Sequence, residues 1–192
     1  MKKLLKVAIL ILIVVALLLG AFWLFSYSVW EAVHRKEYSE KEFNNDFCYI
    51  IERNGQLSLP NEIDYLYGAD LAQFLYRYNV FFFSMDESQV TYTKNSNSEQ
   101  EIDVETTLQL NDEWKKTDIK KENHDRNNYY SSRLNFFTSR LKKKDCDRIT
   151  QALGEDWDVY VRNPSDTEEY CYLWVSKPND GKIFFFFAYD KN

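Results

Sequence analysis

Glu101, Asp103 and Glu105 are the residues whose types and spacing most resemble a site. They alternate with Ile102, Val104, Thr106, Leu108 and Leu110 over residues 101–110, the cleanest period-two pattern in the chain. On a strand, side chains at i and i+2 share a face roughly 6.5–7 Å apart. Three carboxylates so placed repel one another unless a cation compensates, and Lys94 across a hairpin is the nearest one. The chemistry that fits is docking of a basic protein surface. A carboxylate pair at that separation also suits cleavage of a glycosidic bond, but nothing else in the chain supports sugar binding. A solvated strand face is the plainest reading of all.

Nucleophilic catalysis needs a nucleophile, a base within reach and a group that orients the base. The chain has no GxSxG, and its two histidines are His34 and His124. Cys48 with His124 is the thiol pair to weigh. Cys48 sits among Phe47, Tyr49, Ile50 and Ile51, and apolar neighbours raise a thiol's pKa and blunt it. No CxxC is present, and five scattered glycines cannot build a phosphate loop, so neither a metal nor a cofactor is expected.

Cys48, Cys146 and Cys171 allow one bridge and three pairings. Cys146–Cys171 is the favoured pair, because it would tie an expected helix to an expected strand. Such a bridge is worth ~3 kcal/mol in the chain-entropy model. The basic run Arg140, Lys142, Lys143 and Lys144 reads as the solvated start of a helix, or as a contact for acidic lipid or an acidic partner. Three lysines there oppose the helix dipole. Among fourteen tyrosines, the pairs Tyr129–Tyr130 and Tyr170–Tyr172 would suit protein recognition wherever they reach the surface.

These residues need elements to position them. Ser39-x-x-Glu42 has the form of a capping box, and Phe43, Phe47, Ile50 and Ile51 follow at helical spacing. The spacing predicts a helix over residues 40–53, stopped by Asn54-Gly55. Ile63, Tyr67, Leu71, Phe74, Leu75 and Tyr78 predict a second helix over 64–78, weakened by Gly68. Residues 80–83 and 183–187 are too short and too uniformly apolar for surface elements. They read as two central strands of one sheet, covered by helices.

Residues 89–94 and 101–110 read as a hairpin around a polar turn at 95–98. Residues 111–128 read as a surface loop or a partly helical excursion. Residues 129–141 fit either period and are read as a strand, because Phe136-Phe137 and the Ser/Thr content are poor helix material. A helix over 143–153, ended by Gly154, precedes strands at 156–162, 170–177 and 182–189. The turns between those strands are expected at residues 163–166 and 178–181. The expected fold class is α+β: an N-terminal transmembrane helix, then one domain with two N-terminal helices, a mostly antiparallel sheet and one further helix.

Everything hangs from residues 7–25, nineteen residues without a charge, preceded by Lys2, Lys3 and Lys6. A helix rises ~1.5 Å per residue, so such a stretch matches the ~30 Å hydrocarbon core of a bilayer. Trp23, Tyr27 and Trp30 fall where an aromatic belt would meet the far headgroups. A cleaved signal peptide is the competing reading, but its apolar region is typically only ~7–15 residues. The basic flank predicts a cytoplasmic N-terminus and an external C-terminal part, periplasmic or extracellular. The expected organisation is a signal-anchor over 1–30 with membrane contact over 7–29, a stalk over 31–38 and a single exported domain over 39–192.

All thirty acidic residues but only twenty-one of the twenty-four basic ones follow residue 30, so that part carries about −9. Such a surface repels phosphate backbones, so no nucleic-acid partner is expected. The function that fits is a membrane-anchored, outward-facing binding module, in one version an immunity- or inhibitor-type protein that docks a basic partner. The alternatives are a small envelope enzyme using Cys48 or His124, and an accessory subunit whose anchor packs into a membrane complex.

Overall fold

The computed structural model describes residues 2–33, 35–60, 62–73, 76–94, 100–117, 124–163 and 169–191. The chain forms two compact units, Met1–Arg35 and Lys36–Asn192. The first is helix α1 (Lys2–Val33). Its large apolar side chains from Ile11 to Phe25 are exposed all round, so the helix has no apolar stripe turned to one partner. Among the described residues no helix is long and apolar enough to cross a membrane. This stretch is a helix with exposed apolar sides.

The second unit is built on a seven-stranded sheet in the order β1-β2-β3-β9-β8-β7-β6. Its strands are β1 (Arg35–Glu37), β2 (Asp64–Gln73), β3 (Tyr76–Asp86), β6 (Trp114–Thr117), β7 (Trp157–Arg162), β8 (Glu169–Ser176) and β9 (Lys182–Lys191). The two phenylalanine runs are neighbours at its centre. Phe81 faces Phe187, Phe82 faces Phe186 and Phe83 faces Phe185 in antiparallel register. Residues of one parity, Phe81, Phe83, Phe185 and Phe187, enter one core. Phe82 and Phe186 enter a second core on the opposite face. A strand can be apolar on both sides only when both sides are covered, and here they are.

The first face is covered by α2 (Glu40–Glu42), a π-helical turn Phe43–Phe47 and α3 (Cys48–Gly55), which run on as one helix. The expected capping box is present: the Ser39 hydroxyl accepts from the Glu42 N–H, and the Ser39 N–H donates to Glu42 Oε2 at 3.0 Å. Phe43, Phe47 and Ile51 all meet the sheet. At 3.6 residues per turn, a strict four-residue spacing drifts around an α-helix; the wider π turn offsets that drift. Gly55 is inside the helix rather than its left-handed stop, which falls on Gln56 (φ 49°). A Cβ at Gly55 would lie 2.9 Å from the Phe187 ring, so glycine is there for close approach.

The second face is covered by α5 (His124–Thr138) and α6 (Lys143–Leu153), which deliver Leu134, Phe137, Ile149 and Leu153 to the core. Gly154 ends α6 as expected, at φ 70°. Asp180 and Gly181, both at positive φ, make the tight turn into β9, closed by mutual Asn179–Lys182 backbone bonds of 2.8 and 3.0 Å. The other expected turn, at 163–166, lies largely outside the described residues.

Several expectations are corrected. Residues 64–73 and 76–78 form no second helix; they lie in strands β2 and β3, which pair antiparallel, and Phe74 and Leu75 of the expected helix lie outside the described residues. A central apolar strand such as β3 needs hydrogen-bond partners on both edges, and β2 supplies one. Gly68, read as a helix weakness, lets the Phe47 ring approach: a Cβ there would lie 3.0 Å from it. Residues 129–138 are helical rather than a strand. The helical spacing of Tyr130, Leu134, Phe137 and Leu141 prevails, and the Thr138 hydroxyl is satisfied within the helix by Leu134 O at 2.9 Å. Residues 35–37, read as stalk, form β1. Residues 111–117, read as loop, contain edge strand β6, whose buried Trp114 donates its indole N–H to Gly55 O at 2.9 Å. The fold is mixed α+β on a mostly antiparallel sheet.

Candidate functional site

The carboxylate ladder is not a strand face. Only β4 (Tyr92–Lys94) and β5 (Gln100–Ile102) pair as a hairpin, and the turn at 95–98 lies outside the described residues. The chain then turns into α4 (Val104–Thr107). Asp103 is the N-cap of α4: its carboxylate accepts from the Thr106 N–H at 3.0 Å and the Thr106 hydroxyl at 2.7 Å. The alternation fails because Ile102, Val104 and Leu108 reach the core across a helical turn, not along a strand. An Asp followed by a short Val-Glu-Thr-Thr turn was the readable signal.

The three acids nevertheless converge on one rim. Glu101 is ion-paired with Lys116 on β6, and Lys116 also lies 3.3 Å from Asp158 on β7. Lys177 approaches the same Asp158 at 3.0 Å. Beside them, burial pushes the Tyr160 phenol well above its ordinary range, and Asp158, Glu101, Glu105 and Asp103 add to that. Glu105 remains exposed. The rim therefore gathers four carboxylates and two ammonium groups, with excess negative charge at the surface.

The cysteines are unbridged: Cys48, Cys146 and Cys171 are free thiols. Cys171 belongs to the first core, against Asn54 O at 3.6 Å, whereas α6, which carries Cys146, covers the opposite face. The sheet separates the expected pair. Burial holds the Cys171 thiol up at about 12 and the Cys48 thiol at about 11, where Glu52 adds to the effect. Thiol titration should therefore find three reactive groups in the unfolded chain, with Cys171 silent in the folded one. The helix of Cys48 and the helix that begins at His124 cover opposite faces of the sheet. His34 lies outside the described residues.

A second polar cluster sits under α5, at residues the sequence reading passed over. Asp190, near the end of β9, is 2% exposed. Its Oδ2 lies 3.4 Å from Arg133 Nη1, a long contact, and its Oδ1 has no hydrogen-bond partner. Trp174 Nε1 is the other buried side-chain atom in that condition among the described residues. Arg133 Nε donates to the Tyr129 hydroxyl at 3.1 Å, which lies 3.3 Å from the Tyr172 hydroxyl. The Arg133 guanidinium faces the Tyr129, Phe136 and Tyr172 rings at 5.5–5.8 Å.

Arg140 covers the Phe136 ring at 3.4 Å and the Tyr78 ring at 5.5 Å. Burial raises the Asp190 carboxyl above its ordinary value, against the pull of Arg133 and Arg140. The readable signal was parity: Phe184, Phe186, Ala188 and Asp190 alternate, so Asp190 must share the buried face.

The basic run is only partly free. Lys142 Nζ lies 2.8 Å from Glu37 Oε2, Arg140 is on its aromatic rings, and Lys143 and Lys144 are exposed. No family model, curated protein or solved structure matches this chain.

Proposed function

We propose that the chain is a membrane-anchored, outward-facing binding module whose acidic rim docks a basic protein partner. The observation that carries the proposal is the pairing of two surfaces. One is the helix whose apolar side chains from Ile11 to Phe25 are bare on every side, the character lipid accommodates. The other is the net-negative rim of Glu101, Glu105 and Asp158 around Lys116. The Lys2, Lys3 and Lys6 flank sets the N-terminus inside. An inhibitor of a basic enzyme or toxin outside the membrane is the concrete version.

Fractionation tests the anchoring half. The full chain should stay with membranes after alkaline extraction, and protease added to intact spheroplasts should digest the domain. Release into the soluble fraction, or protection from external protease, would reject it. The docking half is tested by charge reversal at Glu101 and Glu105, which should abolish association with the partner while the fold persists.

A further inference from the structure

The feature that neither the anchor nor the rim uses is the Asp190 cluster. A carboxylate that is 2% exposed, with one oxygen unpartnered and the other 3.4 Å from its cation, is under-compensated. Its surroundings come from every element packed against it. Tyr78 of β3 and Tyr170 of β8 are its register partners, and Tyr172 lies two residues along the same face of β8. Tyr129 and Arg133 come from α5, and Arg140 from the segment after it. The charges bearing on Asp190 among the described residues are those of Arg133 and Arg140. None of these groups donates to Oδ1. Protonation of the carboxyl removes the buried charge that these two guanidinium groups compensate only in part.

We propose that Asp190 is a proton-binding switch that sets how tightly α5 closes over the end of β9. When α5 is closed, the carboxyl is buried; when the part of α5 up to Arg133 lifts, the carboxyl meets water. Water favours the ionised form and burial the neutral one, so linkage fixes the direction. Protonation holds α5 closed, and ionisation biases it open. Opening bares the Tyr170 and Tyr172 rings and frees Arg133, a set of side chains suited to protein recognition. The apolar contacts of Leu134 and Phe137 remain as the hinge side of the helix.

Amide hydrogen exchange on the full chain in detergent micelles tests this, with rates corrected for the intrinsic effect of pH. Between neutral pH and the ordinary aspartate value of about 4, protection of the α5 amides at 129–133 should increase several-fold in the wild type. Asp190→Asn should show the high protection at both pH values. His124→Gln should retain the wild-type pH dependence, which separates the carboxyl from the imidazole at the start of α5. Arg133→Met, which removes the nearest cation, should widen the difference between the two pH values. Protection that is flat or falls with acid in the wild type overturns the proposal without any variant. So does an Asp190→Asn chain that keeps the pH dependence, or a His124→Gln chain that loses it.

Discussion

The rim around Lys116 and the cluster around Asp190 contain the same kinds of group, acids and bases within ion-pair distance, in opposite surroundings. Lys116 and its acids are partly solvated, with side-chain exposures of 25–36%. Asp190 is 2% exposed and has one long contact. In water an ion pair gains little, because each partner was already well solvated. In the interior a charge loses its hydration and must be fully compensated by its neighbours. The rim therefore tolerates substitution, whereas the Asp190 cluster acts on the fold itself.

The largest effect should come from Arg133→Met. It leaves the buried carboxylate without its nearest cation and should destabilise the domain by about 3 kcal/mol at neutral pH in denaturant unfolding. Adding Asp190→Asn to that variant should recover most of the loss. If the single variant unfolds like the wild type, the cluster is not electrostatically distinct from the rim.

Asp190→Asn alone should stabilise, by about 1 kcal/mol at neutral pH. The sign follows from the raised carboxyl: the folded chain binds this proton more tightly than the unfolded one, so stability rises as pH falls through the folded value. That gain is complete below the ordinary carboxylate value and is lost again as pH rises. The advantage of the variant should therefore vanish in acid. A variant less stable than wild type at pH 7 would mean that Arg133 compensates the charge fully.

Lys116→Met should change stability by no more than about 1 kcal/mol, and the change should shrink in high salt. Glu105→Gln, at an exposed position, should be smaller still, within about 0.5 kcal/mol. A double-mutant cycle compares the regions directly. Coupling between Arg133 and Asp190 should exceed that between Lys116 and Glu101, and the reverse order would break the contrast.

What the sequence revealed follows the same division. The phenylalanine runs, the Ser39 capping box and the Asp180-Gly181 turn were legible because a local pattern and the tertiary fold agree there. The β2–β3 strand pair was not legible because Tyr67, Leu71 and Tyr78 satisfy helical and strand spacing alike, and the demand of β3 for an edge partner is not local. Residues 129–141 failed for the opposite reason: weak local propensity was overridden by the apolar face of the second core. At the candidate site, the expected strand through Glu101, Asp103 and Glu105 ends at Ile102, because Asp103 caps α4. Asp190 was overlooked because its importance depends on burial and on Arg133, fifty-seven residues away.

Whether the acidic rim receives a basic partner outside the membrane is decided by a photo-crosslinking residue in place of Thr93, exposed and opposite Glu101 in the β4–β5 pair, in the full chain in living cells. A discrete adduct with a basic protein is expected, lost when Glu101 is changed to Lys and retained in Asp190→Asn. Crosslinks only to lipid or to another copy of the chain, or an adduct indifferent to Glu101→Lys, would contradict it.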